Sequence, residues 1–126
     1  MFKKTNPNPA SNLVGDCVIR AISILTNKSW DYVFLALYMF AHKMYDMPSS
    51  NAVWGAYLTD LGYRRYVIPN TCPACYSVRQ FCEDNPKGKY LLATGTHVVT
   101  VIDGDYYDTW DSGDEVPIYY FTKEAR

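Results

Sequence analysis

Cys17 and His97 stand out as a nucleophile and a base carried by one chain. A cysteine thiolate is the reactive form of the side chain, and a helix N-terminus favours its negative charge. Cys17 falls in the first turn of a helix that opens at Gly15-Asp16. The chain has only two histidines. His97 follows Gly95-Thr96 and opens the apolar run Val98-Val99-Thr100-Val101-Ile102. Its ring therefore belongs at the rim of a sheet, where a nucleophile on a neighbouring helix can meet it. His42 lies among Met39, Lys43 and Met44 in an apolar helix and reads as a packed or surface residue. A thiol beside an imidazole is the machinery of acyl transfer. Taken singly, Cys17 reads equally as a small buried hydrophobe, and His97 as an ordinary strand-end residue.

Such a pair wants a third group to orient the imidazole and stabilise its charged form. The segment after His97 supplies two acids. A two-residue turn at Gly104-Asp105 pairs Asp103 with Tyr106, and hence His97 with Ser112. Asp111 then lies beside the position opposite His97, and a one-residue bulge brings it directly opposite. Asp108 pairs with Val101 and shares the face of His97, but roughly 13 Å along the strand at about 3.3 Å per residue. Distance prefers Asp111; strict alternation prefers Asp108. The expectation is Asp111.

Three more cysteines compete for a function. Cys72-Pro73-Ala74-Cys75 has the spacing of a redox dithiol. A strand precedes it and a helix follows, as in thioredoxin-like proteins, but Asn85-Pro86 cuts that helix short. Cys72, Cys75 and Cys82 offer three soft zinc ligands where a structural site wants four. The plainer reading is three ordinary cysteines on a loop and a short helix. Trp110, between the two acids, is expected in the core rather than in a cleft. Arg20, one turn beyond Cys17, is expected to salt-bridge Asp16 or a neighbour. No Gly-rich phosphate loop or paired metal carboxylate occurs, and no cofactor is expected.

These side chains need a scaffold. Residues 1–14 read as extended, because Asn6-Pro7-Asn8-Pro9 disfavours helix twice. Val18, Ile22 and Leu25 form a helical stripe that stops near Asn27. Ser29 can cap a second helix reaching about Tyr45; its middle is apolar almost all round and is expected to be buried. Ser49 or Ser50 can cap a third helix ending at Gly62. Tyr63–Pro69 reads as a strand. Ser77 and Gln80 form a capping box for a short helix. Strands are expected at Lys89–Thr94, His97–Asp103, Tyr106–Asp111 and Val116–Thr122. Helices first and an antiparallel sheet afterwards make this an α+β domain. With 126 residues, it is expected to be one domain over residues 1–126.

Composition removes several classes. Net charge is -1 and basic residues are scattered apart from Lys3-Lys4 and Arg64-Arg65, so nucleic-acid binding is not expected. No apolar run suits a membrane span, and the Lys3-Lys4 segment lacks the apolar stretch of a secretory signal. The expected location is the cytoplasm, where the thiols stay reduced.

Gly15-Asp16-Cys17-Val18-Ile19-Arg20-Ala21, then Gly95-Thr96-His97-Val98-Val99, then Tyr107-Asp108-Thr109-Trp110-Asp111 resemble the papain-like superfamily of cysteine peptidases. The likeness is strongest to its small bacterial and phage members, and the Asp-Cys pair also resembles the bacteriocin-processing C39-type peptidases. The resemblance implies a papain-like fold with the catalytic helix packed on the sheet. It implies Cys17 as nucleophile, His97 as base and then acid, and an Asp or Asn on the next strand as orienter. The substrate would be a peptide or isopeptide. It also implies an oxyanion hole built from the Cys17 backbone N–H and an upstream side-chain amide. The family's Gln, six residues before the Cys, falls on Ser11 here; Asn12 is the substitute candidate. Two other readings stay open: a papain-like binding or immunity module without turnover, and a thiol-disulfide oxidoreductase based on Cys72 and Cys75.

Overall fold

The computed structural model describes residues 1–123. In chain order the elements are β1 (Phe2–Lys4), α1 (Cys17–Thr26), α2 (Trp30–Met44), α3 (Asn51–Asp60), β2 (Arg64–Val67), α4 (Val78–Asp84), β3 (Lys89–Ala93), β4 (Val98–Ile102), β5 (Asp105–Asp108) and β6 (Tyr119–Thr122). The strands form one sheet in the order β1-β5-β4-β3-β6-β2. Helices α1 to α3 cover one face and α4 the other, so each face has its own core. Ile22, Leu25, Trp54 and Leu58 pack against Leu91 and Phe121 on the first. Val78, Phe81 and Cys82 pack against Leu92, Val99 and Val101 on the second.

Local chemistry sets the helix ends. Asn27 closes α1 in the left-handed region at φ 55°, a conformation Asn tolerates better than most residues. The Ser29 side chain accepts from the Tyr32 N–H and opens α2. Ser77 and Gln80 form the full reciprocal capping box of α4. Asp16, by contrast, is the N-cap of α1 but makes no side-chain cap bond. Its carboxylate is used elsewhere. The Thr100 hydroxyl donates to the Ala21 carbonyl at 2.5 Å, which fixes α1 across β4.

Four expectations are corrected. The sheet is mixed, because β1 runs parallel to β5. This three-residue strand carries no alternation of its own and exists through its partner. The β4–β5 turn is Asp103-Gly104, with Ile102 paired to Asp105; both turn residues have positive φ, 49° and 81°, as a type I′ turn demands. β5 ends at Asp108 rather than Asp111, and β6 begins at Tyr119 rather than Val116. Lastly, α2 is not buried all round. Only Val33, Leu37 and Ala41, a single stripe at four-residue steps, are buried in it. Tyr38 and Met39 are 61% and 67% exposed, because α2 belongs to a helical layer one element deep.

Candidate active site

Cys17 is the first residue of α1 and is half-buried. His97 precedes β4 within a tight turn: its N–H donates to the Thr94 hydroxyl at 3.0 Å, and its carbonyl accepts from the Thr94 N–H at 2.8 Å. That turn presents the imidazole at the end of the sheet where α1 begins. Cys17 and His97 line the same two cavities, and each shifts the proton affinity of the other. On the far side of the ring, Nε2 lies 2.6 Å from Oδ2 of Asp108. With Nε2 donating to that carboxylate, Nδ1 is the nitrogen left for the thiol.

Asp108, not Asp111, therefore holds the imidazole. The corrected turn explains why. Extending the pairing by one step sets Asp108 opposite Val99, two residues from His97 rather than four. Diagonal neighbours of that kind are about 7–8 Å apart at their backbones, within side-chain reach. Trp110, in turn, packs its ring on the imidazole, with centroids 5.0 Å apart. Asp111 is exposed and faces the other layer: it accepts from the Tyr106 hydroxyl and from the Gly113 N–H at 3.0 Å, and it meets Arg79 of α4 at 3.5 Å.

Asp108 is buried and well supplied with donors. Oδ2 also accepts from Ser112 Oγ at 2.7 Å, and Oδ1 accepts from the Thr109 N–H at 2.8 Å. Arg20 Nη2 lies 3.5 Å from Oδ1. The charges follow from these contacts. Burial opposes ionisation of Asp108, but the hydrogen bonds from His97 and Ser112 outweigh it and hold the carboxyl below its ordinary value. Burial likewise works against a charged His97, yet Asp108 and Cys17 push it up to about 9. For Cys17, burial raises the thiol, while His97, the Val98 N–H and the charge of Arg20 bring it below its ordinary value. All three directions favour a thiolate–imidazolium pair.

Two cavities meet at this pair. One, of about 220 Å³, is lined by Cys17 and His97 with Ser49, Asn51, Trp54 and Tyr119. The other, of about 410 Å³, has Leu13, Val14, Thr109 and Trp110 around the same Cys17 and His97. Together they form a groove with the dyad at its waist. Trp110, expected in the core, is 46% exposed in the groove wall. The larger cavity of about 500 Å³ between Leu25, Tyr57 and Tyr63 touches none of these catalytic candidates.

Asn12 lies in an exposed loop and lines neither side of the groove; its carbonyl accepts from Asn6 Nδ2 at 3.2 Å. The donors present are others. The Cys17 N–H opens a helix and has no partner within it. Asn51 lines the smaller cavity, and its Oδ1 accepts from Trp54 Nε1 at 3.0 Å, which leaves its amide nitrogen as a donor. Nothing in the order Cys, His, Asp points to residue 51. Ser112 was equally hidden, although an Asp followed four residues later by Ser within a turn is a recognisable local pattern.

The remaining cysteines stand apart. Cys72 and Cys75 are joined as a disulfide in an exposed loop, rather than free or metal-bound. Cys82 is buried on the α4 face, and burial pushes its thiol up to about 11. Among the described residues, no three His, Cys, Asp or Glu side chains gather in a way that could hold a metal ion. None of the helices described is long and apolar enough to cross a membrane. Comparisons with family models, with curated proteins and with solved structures find no match to this chain.

Proposed function

We propose that this chain is a cysteine amide hydrolase of papain-like type, acting through Cys17, His97 and Asp108. The observation that carries the reading is the relay itself. His97 lines the same cavities as Cys17, is electrostatically coupled to its thiol, and holds its Nε2 2.6 Å from a buried carboxylate. The Cys17 thiolate attacks the carbonyl carbon, and the C–O π electrons move onto oxygen. The Cys17 N–H and the Asn51 amide are the donors available to that oxyanion. Its collapse breaks the C–N bond while the His97 imidazolium protonates the departing amine. Water, deprotonated by the now neutral His97, attacks the thioester and releases the acid, and the thiolate–imidazolium pair is restored.

A groove passing both sides of the dyad suits a chain that runs across the site, which supports a peptide or isopeptide substrate. Leu13, Val14 and Trp110 would meet an apolar residue on one side of the scissile bond. The test has two parts. An iodoacetamide-type alkylator, read by mass spectrometry, should modify Cys17 faster than Cys82, and a peptide and isopeptide library should show turnover lost in Cys17→Ser. An inert Cys17 in the folded protein would defeat the reading. A second reading, a binding module without turnover, is favoured by the place of Asn12, the upstream amide, in an exposed loop off the groove. Rapid alkylation of Cys17 with no hydrolysis anywhere in the library is its signature.

A further inference from the structure

Arg20 is a buried cation placed between two buried carboxylates. It is 7% exposed, Asp16 4% and Asp108 3%. Arg20 Nη1 donates to Asp16 Oδ1 one helical turn before it, while Nη2 lies 3.5 Å from Asp108 Oδ1. The other oxygen of Asp16 accepts from Trp30 Nε1 at 2.9 Å and from Asn8 Nδ2 at 3.3 Å. This explains why the Asp16 carboxylate does not cap α1. It is the anchor of a guanidinium that reaches over to β5.

We infer that Arg20 is a positioning residue of the hydrolase, tying the start of the nucleophile helix to the carboxylate that orients His97. The inference rests on the function proposed above. A buried charge left without a partner is costly, and removal of Arg20 would leave buried Asp16 without its ion-pair partner and Asp108 with His97 alone. A guanidinium fixed by two carboxylates fixes them in return, so it sets the distance from α1 to the end of β5. Its charge also favours the thiolate. The charged groups facing Arg20 are Asp16 from the start of its own helix and Asp108 from β5, with His97 one contact further. The Val14 carbonyl of the N-terminal loop accepts from Arg20 Nη1 at 3.5 Å, while the Trp30 indole of α2 and the Asn8 amide hold Asp16 rather than Arg20 itself.

The test is the pH profile of Cys17 alkylation by iodoacetamide, read by mass spectrometry with Cys82 as internal comparison, in Arg20→Met and Arg20→Lys. Arg20→Met is expected to move the acid limb for Cys17 upward by about one pH unit, a roughly tenfold slower reaction at acidic pH. Arg20→Lys, which keeps the charge, should recover most of that loss. A merely structural arginine would lower the melting temperature without moving the limb. Should Arg20→Met fail to fold, the double variant Arg20→Met/Asp16→Asn removes the orphaned carboxylate and is read the same way. A folded variant with the wild-type acid limb overturns the inference and leaves the proposed function standing. A wild-type Cys17 no more reactive than Cys82 overturns both.

Discussion

Asp108→Ala is the perturbation that separates the two acids of the β5 segment. In the wild-type protein, burial disfavours a charged His97, and Asp108 and Cys17 overcome it and lift the ring to about 9 from an ordinary 6.5. That interval is what remains after burial has been overcome, so Asp108 and Cys17 together supply more than it. Cys17 provides part of the lift, and the ring keeps some access to solvent, so a fall of about one to two units is expected. Each unit is about 1.4 kcal/mol, so the thiolate–imidazolium pair loses roughly 1.4–2.7 kcal/mol and the acidic limb of Cys17 alkylation slows about ten- to hundredfold. Proton NMR of the imidazole ring is the direct assay. The chain has two histidines, and exposed His42 serves as the internal reference. Asp111→Ala is the control, because its partners are Tyr106, Gly113 and Arg79. A wild-type His97 titration in Asp108→Ala, or an equal fall in Asp111→Ala, would refute the assignment of the carboxylate.

Hydrolysis should follow a bell-shaped pH profile. It falls on the acid side as the lowered Cys17 thiolate is protonated, and on the alkaline side near pH 9 as His97 loses the proton owed to the leaving group; steady-state rates against pH locate both limbs. The stabilisation gained from protonated His97 has a matching sign. It is fully present below pH 6.5 and fades as the pH rises through about 9, which urea titrations across that range will detect. Reducing the Cys72–Cys75 disulfide with a phosphine should leave Cys17 alkylation unchanged and cost on the order of 2 kcal/mol or less, since so short a loop gains little from closure; a lost Cys17 reaction would instead link the two sites. Leu58, fully buried in the α1–α3 core, should cost about 2–5 kcal/mol as Leu58→Ala, read as a lower urea midpoint with the Cys17 pH profile intact.

The helices were readable because their ends carry their own chemistry. Ser29, Ser77 with Gln80, and Asn27 each act within one turn, so no partner is needed to recognise them. Cys17 and His97 were readable for a related reason, since both stand at element starts. What the sequence hid depends on pairing. Asp103-Gly104 and Gly104-Asp105 both look like two-residue turns, yet the choice moves the partner of every β4 residue by two. That single step decides between Asp108 and Asp111. β1 is invisible alone because three residues gain strand geometry only from β5. The apolar circumference of α2 suggested burial, but periodicity reports what a helix could bury, and only the surrounding elements decide what it does bury. Asn51 and Ser112 are brought to the site by folding, one from the start of α3 and one from the turn beyond β5.

The strand order has a consequence for the chain as it is made. β1 and β2, synthesised early, occupy the two edges of the sheet, while β3, β4, β5 and β6 fill its middle. The centre is therefore laid down after the flanks, and α1 lacks its contact with β4, the Thr100 bond included, until that strand exists. Pairings so distant along the chain form slowly compared with local ones. Until they form, Cys17 has neither His97 nor Asp108 beside it and behaves as an ordinary, weakly reactive thiol. In the proposed hydrolase, the catalytic partners of Cys17 therefore come together only when the sheet is completed.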